Sequence, residues 1–120
     1  MGDFRDLKVW REAHAIVLEV YRVTGSFPRS EHFGLVAQMR RAAVSISSNI
    51  AESRGRFSMR DQTRFLQMAL GSATELECQL LIAQDLHYSE DAVIDLLSGR
   101  LLQVRRMLGA MCRHSRLHGP

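Results

Sequence analysis

The sequence predicts an all-α protein, an antiparallel up-down-up-down four-helix bundle, and three observations lead to this fold class. Apolar residues recur at three- and four-residue steps through most of the chain, which is the period of an amphipathic helix. The only prolines are Pro28 and Pro120, so no proline interrupts residues 29–119. The 120 residues are 46% hydrophobic but only 7% aromatic, which is typical of one domain built from aliphatic helix packing.

Four helices are predicted, at residues 7–24, 34–53, 59–86 and 90–116. Asp6 is the expected N-cap of the first helix, and Ser58 with Asp61 has capping-box spacing before the third. Gly71-Ser72 in the middle of the third helix lowers helix propensity, by about 1 kcal/mol for the glycine, and we expect a close helix crossing there to compensate. The predicted core stripes contain Trp10, Ala13, Val17, Val20, Tyr21, Leu35, Met39, Ile46, Ile50, Phe65, Ala69, Ala73, Leu76, Leu80, Ala83, Leu97, Leu101, Val104, Leu108 and Met111, with Leu66, Leu70 and Leu81 beside the third.

A second, polar stripe lies next to the apolar stripe of the second helix. Its members also recur at steps of three and four: Gln38, Arg41, Ser45, Asn49 and Glu52. Small residues such as Ala42 and Ala43 surround the stripe and allow another helix to approach closely. Two interpretations stay open at this stage. The stripe is either a polar seam inside the bundle or a surface that faces another subunit or a ligand.

The charged residues predict a basic end of the bundle. The net charge is +3, and Lys8 is the only lysine among 16 cationic residues, so arginine dominates. The antiparallel topology places the turn between helices two and three beside the end of helix four. Clustered arginines there predict binding to nucleic-acid phosphates without sequence preference. The predicted nucleic-acid-binding residues are Arg54, Arg56, Arg60, Arg64, Arg113 and Arg116.

The alternative for the arginines of helix four is that they complement the helix dipole and stay solvated. The opposite end of the bundle is expected to be acidic, with no cation among the acids of the turn between helices three and four. These acids are Asp85, Glu90, Asp91 and Asp95. The molecule is therefore predicted to be electrically polar along its long axis.

No catalytic constellation is found, so an enzyme is the weakest hypothesis and no cofactor is predicted. His114 and His118 are the only histidines with a helical spacing, and no cysteine or carboxylate close by completes a metal site. Cys78 and Cys112 are predicted to be free thiols in a reducing compartment. Without a leader or a long apolar run, we expect a cytoplasmic protein that does not contact membranes.

Three sequence blocks carry a resemblance to a known family. The first comprises Asp6-Leu7-Lys8-Val9-Trp10, Val20-Tyr21 with Thr24, and Phe27-Pro28 with Glu31 and Gly34-Leu35. The second comprises Gln38, Arg40-Arg41-Ala42-Ala43-Val44-Ser45-Ile46 and Ser48-Asn49-Ile50-Ala51-Glu52. The third comprises Phe65-Leu66, Ala69-Leu70-Gly71-Ser72, Glu75-Leu76 and Gln79-Leu80. These blocks resemble the four-helix-bundle family of 23S rRNA intervening-sequence proteins, related to the accessory variability proteins of diversity-generating retroelements.

The resemblance implies a bacterial cytoplasmic bundle that assembles as a ring-like homopentamer. For the retroelement relatives it also implies a basic surface that contacts nucleic acid, and a reverse transcriptase partner. We therefore predict a non-enzymatic oligomeric bundle that binds structured RNA or DNA through its arginine-rich end, as an accessory to a reverse transcriptase or in an rRNA-related process. The alternative function is a homo-oligomeric protein-binding scaffold with no direct nucleic-acid role.

Overall fold

The computed structural model describes residues 2–118, with the side chains of residues 2–115, and contains four long helices. They are α1 (Lys8–Thr24), α2 (Leu35–Arg54), α3 (Met59–Asp85) and α4 (Asp91–His118). Two short 3₁₀ helices, Phe4–Asp6 and Arg29–Glu31, precede α1 and α2, and no strand occurs within residues 2–118. Each long helix begins and ends within two residues of its predicted bounds.

The predicted all-α four-helix bundle is confirmed. Each helix packs on two others, since α1 and α3 both contact α2 and α4. Ser45 of α2 meets Ser72 of α3, and Arg105 of α4 pairs with Glu77 of α3. The two residues of each pair lie at similar distances along the chain from the turn that joins their helices, which fits the antiparallel arrangement. The molecule measures 48 × 21 × 21 Å, so its two ends are well separated.

The core is aliphatic and runs along the whole bundle. The largest fully buried side chains are Ile16, Val20, Met39, Ile46, Ile50, Leu76, Leu80, Ile94, Leu101, Val104 and Leu108. The predicted stripes of α2 and α4 are at the centre of this core, with Met111 only partly buried at the end of α4. Burying each such side chain contributes roughly 1.5–3 kcal/mol, so the core is the main source of stability.

Two residues predicted in core stripes are exposed, and five are only partly buried. Tyr21 is 45% exposed, and the Arg40 guanidinium lies over its ring, 4.5 Å from the centroid. Leu81 is 54% exposed because its neighbour Leu80 occupies the core position. The partly buried residues are Trp10, Val17, Phe65, Leu70 and Met111. In α1 the buried face is rotated from the predicted one, and its members are Val9, Ala13, Ile16, Val20, Val23 and Thr24.

The expected cap of α1 is also corrected. Asp6 ends the first 3₁₀ helix, and Leu7 occupies the N-cap position of α1 without a side-chain hydrogen bond. The expected cap of α3 is present, since the Ser58 hydroxyl oxygen accepts a hydrogen bond from the Asp61 N–H at 3.0 Å. The N-cap residue is extended before both helices, but Leu7 has no side-chain acceptor for a hydrogen bond, whereas Ser58 has a hydroxyl.

The helix contact expected at Gly71-Ser72 is made by Ser72 and not by Gly71. A Cβ atom added to Gly71 would have no heavy atom within 4 Å, and the residue faces solvent. The contact between α2 and α3 is made one residue later, where the hydroxyls of Ser72 and Ser45 lie 2.8 Å apart. Gly71 therefore retains its cost in helix propensity without a packing contact inside the chain.

Replacing Gly71 with alanine should raise the free energy of unfolding by about 0.5–1 kcal/mol, because alanine is the better helix former and the site is open. Gly99→Ala is the matched comparison, since a Cβ there also meets nothing within 4 Å. Urea unfolding of both variants, with native mass recorded in parallel, measures the effect. A loss of stability or a change of mass in Gly71→Ala alone would contradict the prediction and place another chain against this face of α3.

A hydrogen bond ties the two loops at the end of the bundle opposite the α2–α3 turn. The Tyr88 hydroxyl donates to Glu31 Oε2 at 2.9 Å, and the Tyr88 ring packs 5.4 Å from that of Phe27. The other oxygen of Glu31 accepts the Leu35 N–H at 3.2 Å, at the start of α2. The hydrogen bond to Glu31 raises the pKa of Tyr88. The turn between α3 and α4 is thereby joined to the α1–α2 connection.

Replacing Tyr88 with phenylalanine should lower the free energy of unfolding, because the hydrogen bond to Glu31 is lost. The raised pKa means that the folded state favours the neutral phenol. The stabilisation is therefore complete below the ordinary pKa of tyrosine, near 10, and is lost as the pH rises through the raised pKa of Tyr88. Urea unfolding at about pH 8 and about pH 11 should show that the difference in free energy of unfolding between native protein and variant is smaller at the higher pH. A difference that is constant with pH would contradict the stabilising role of the Tyr88–Glu31 hydrogen bond.

Candidate nucleic-acid interface

The candidate interface is built from the start of α3 and the end of α4. Gly55 ends α2 and Ser58 caps α3, so the chain reverses within a few residues. Arg60 and Arg64 are four residues apart on α3 and therefore share one face. The antiparallel packing of α4 on α3 brings Arg113 beside them.

A groove of about 860 Å³ lies between these helix segments. Three of the six arginines predicted to contact nucleic acid line this groove, together with one acid and a partly apolar floor. The lining residues are Met59, Arg60, Asp61, Thr63, Arg64, Gln67, Leu70, Gly109, Cys112, Arg113 and Ser115. The groove can therefore offer several guanidinium groups to one extended anionic ligand.

Arg60 and Arg113 are the arginines of the groove that are available to a ligand. Both are exposed, and neither makes a hydrogen bond or an ion pair among residues 2–115. An Arg113 guanidinium nitrogen lies 3.3 Å from the position that a Cβ on Gly109 would take. The glycine thus leaves room for the guanidinium to lie along the surface of α4.

Arg64 is only weakly engaged. Its Nε atom lies 3.8 Å from Asp61 Oδ1, and its guanidinium lies 4.7 Å from the centroid of the Phe65 ring. Both charged side chains are more than half exposed, at 60% and 51%. Exposed pairs of this kind contribute about 0–1 kcal/mol, so Arg64 can exchange Asp61 for a phosphate at little cost.

Arg54 and Arg56 already have partners within the chain. Arg56 donates to Glu52 Oε2 at 3.1 Å, and its guanidinium lies 4.6 Å from the Phe65 ring centroid. The Arg56 Nε atom is buried without a hydrogen-bond partner, so this side chain is held against the bundle. Arg54 Nε donates to the carbonyl of Gly2 at 3.1 Å. The side chain of Arg116 lies outside the described residues.

The polar stripe of α2 divides into a partly buried middle and exposed ends. The Ser45 hydroxyl lies 2.8 Å from that of Ser72, and the Asn49 amide donates to the Ser45 carbonyl at 2.9 Å and to its hydroxyl at 3.0 Å. Ser45 thus makes a polar contact with α3 inside the subunit, and Asn49 supports Ser45 from within α2. The remaining members are exposed to solvent: Gln38, Arg41 and Glu52.

The opposite end is less acidic than the sequence predicted. The α3–α4 turn packs beside the end of α1, where Arg22 and Glu90 line the same depression. Arg22 also pairs with Glu19 at 2.7 Å, and this hydrogen bond lowers the pKa of Glu19. Arg29 is exposed in the α1–α2 connection at the same end. Cations from a neighbouring helix and loop therefore offset the acids, which a charge count along one turn could not show.

Sequence reasoning missed Phe57, which lies at the same end of the bundle as the groove. It lies in the turn between α2 and α3 and is 99% exposed. Periodicity carries no signal for a residue between two helices. The only indication in the sequence is that an aromatic residue follows Arg54-Gly55-Arg56 in a turn, where polar residues are usual.

A sequence model of the 23S rRNA-intervening sequence proteins matches residues 5–110 of this chain. The chain belongs to the 23S rRNA-intervening sequence protein family. The match covers α1, α2, α3 and most of α4, and it includes Phe57, Arg60 and Arg64. Arg113 lies beyond it.

A solved structure supports the fold of this family member. It is the crystal structure of a protein of unknown function from the S23 ribosomal protein family of Bacteroides thetaiotaomicron. The TM-score is 0.81 at 19% sequence identity, over 88% of this chain and 95% of that one. At this identity the similarity shows the fold alone. None of the curated proteins matches the chain.

Two kinds of feature are absent from the part of this family member that the structure describes. No described helix is both long enough and apolar enough to cross a lipid bilayer. Within the same residues, no three side chains of the histidine, cysteine, aspartate and glutamate types are grouped so that they could hold a metal ion.

Proposed function

We propose that this family member is a non-enzymatic, cytoplasmic, homo-oligomeric bundle. It binds structured RNA or DNA through the groove between the start of α3 and the end of α4. The observation that carries the proposal is the position of Arg60 and Arg113, exposed and without a partner among the described residues, on opposite helices of one groove. The name of the family refers to an intervening sequence of 23S rRNA, so RNA is the first ligand to test.

The chemistry of the groove favours phosphate. A guanidinium group binds phosphate through two parallel hydrogen bonds, and each contact releases counterions from the nucleic acid. Arg60, Arg64 and Arg113 would supply this binding, with Asp61 displaced from Arg64. Such contacts position a ligand without reading its bases, so little sequence preference is expected from them.

Assembly of several subunits strengthens this binding. A net charge of +3 is small for a protein that binds a polyanion. The resemblance of the chain implies a homopentamer, and five grooves on one ring would act together through avidity. The large apolar side chains that are exposed on all four helices are the natural material for subunit contacts, among them Leu18, Val44, Met68, Leu81, Ile82, Leu96 and Leu102. A reverse transcriptase, or a process that involves rRNA, would supply the nucleic acid.

The double variant Arg60→Ala/Arg113→Ala should bind a structured RNA more weakly and with a smaller salt dependence. Each lost phosphate contact should lower the slope of log K against log salt by about 0.7–0.9, so we expect a decrease of roughly one to two per contacting subunit. Fluorescence anisotropy across a salt series, with native mass recorded in parallel, measures both quantities.

The matched control is Arg29→Ala/Arg41→Ala. These arginines are also exposed and without a partner among residues 2–115, but they lie on the α1–α2 side of the bundle. Both double variants remove two positive charges, so total charge alone predicts equal losses. Equal losses, or no loss in the groove variant, would refute the groove as the binding site.

A second function, a protein-binding scaffold, is favoured by a different surface. On the α1–α2 side, Phe33 is 92% exposed and lies near Tyr21 and Val44, which are also exposed. Arg40 and Arg41 line the same depression, of about 460 Å³. Apolar side chains with an arginine rim are usual at protein interfaces. If the native oligomer binds RNA and DNA weakly and without salt dependence, the scaffold becomes the better assignment.

A further inference from the structure

Phe57 is an aromatic side chain that the chain itself does not use. Its 99% exposure means that none of its ring is packed against the described residues, whereas a phenylalanine in a core buries on the order of 150–250 Å². Phe33 has similar exposure, but its ring has an edge contact with His32 at a centroid distance of 4.7 Å. Phe57 has no ring or cation contact of this kind within residues 2–115.

The backbone around Phe57 is well held on both sides. The Gly55 and Arg56 N–H groups donate to the carbonyls of Glu52 and Ser53 at 3.1 and 3.2 Å. The Gln62 side-chain amide donates to the Arg56 carbonyl at 2.8 Å. After Phe57, the cap at Ser58 fixes the start of α3. The ring is therefore presented to solvent from a turn whose backbone is hydrogen-bonded on either side.

The charges near Phe57 decide what kind of partner suits it. Arg54 and Arg56 precede it and Arg60 follows it, while the nearest acids along the chain, Glu52 and Asp61, are paired with arginines. A desolvated apolar protein partner would have to cover these cations. A nucleic acid instead meets them with phosphates. An exposed aromatic ring beside a cationic groove is the combination that binds single-stranded nucleic acid, with bases stacked on the ring.

We infer that Phe57 stacks on an unpaired base of the RNA or DNA whose phosphates lie in the groove of Arg60, Arg64 and Arg113. This inference rests on the proposed function and adds to it the class of ligand: a single strand, a loop or a bulge, rather than a continuous duplex. Bases within a duplex are stacked on each other and cannot present a face to the ring. Every base has such a face, so the contact selects unpaired nucleotides without selecting a sequence.

The test compares two probes, an oligouridine single strand and a blunt RNA duplex, with three variants at this position. Phe57→Ala should weaken binding of the single strand by roughly 5- to 150-fold, the range measured for loss of one stacked base. Binding of the duplex should be unchanged. The slope of log K against log salt should also be unchanged, because no charge is removed. Circular dichroism should show a native fold, since the ring is exposed.

Phe57→Leu and Phe57→Trp separate stacking from general apolar contact. Leucine should lose affinity as alanine does, whereas tryptophan should retain it. The indole at position 57 should also be quenched when the single strand binds, with the native protein, whose one tryptophan is Trp10, as the background. The matched control is Phe33→Ala, which removes a similarly exposed ring from the other end and should leave both affinities unchanged.

Three results would overturn the inference. Equal binding of the single strand by Phe57→Ala and native protein, with a persisting salt dependence, would remove the stacking role and leave the proposed function intact. A change of native mass in Phe57→Ala would assign the ring to contact between subunits instead. No salt-dependent binding of either probe by native protein would reject the proposed function, and the stacking inference with it.

Discussion

The burial of one face of α2 is the constraint on which the rest of the structure depends. Met39, Ala43, Ile46 and Ile50 are all 0% exposed, and α2 packs on both α1 and α3. Side chains buried to this extent contribute the largest favourable terms in folding. The small residue at Ala43 allows the neighbouring helix to approach, and the Ser45 hydroxyl meets α3 beside the apolar stripe. Once α2 is fixed in this way, the short turn after it fixes where α3 begins, and so where the groove lies.

The arginines of this protein differ in function because they differ in partners. Arg56 is held by a carboxylate and an aromatic ring, and Arg54 is held by a backbone carbonyl. Such contacts order the α2–α3 turn but leave less of the guanidinium free for a ligand. Arg60 and Arg113 have no such contacts among the described residues. Arginines that are clustered in the sequence therefore differ in how available they are to a ligand, and this availability depends on contacts with other parts of the structure.

The fold could be predicted from the sequence because periodicity and the scarcity of prolines act over whole helices. The stripe of α2 was correct at every position, since Leu35, Met39, Ile46 and Ile50 all step onto one face. At the edge of a stripe the helical period does not determine whether a side chain is buried. Tyr21 and Leu81 satisfy the spacing but are exposed. The Tyr21 ring contacts the Arg40 guanidinium, and Leu80 occupies the core position beside Leu81. The groove was predicted only as a cluster of charges, since its depth depends on how α4 packs on α3.

Two exposed phenylalanines show why the end with the α2–α3 turn is the better candidate for binding nucleic acid. Phe33 lies at the opposite end, where the acids Asp85, Glu90 and Asp91 are offset by nearby arginines, so a polyanion meets little net attraction. Phe57 lies among arginines, where a polyanion meets attraction. Unpartnered like charges and an uncovered ring both reduce the stability of a fold, and such departures from good packing are expected at functional sites. Their occurrence together at one end, beside a groove, is more informative than either departure alone, because a phosphate backbone with unpaired bases would satisfy both.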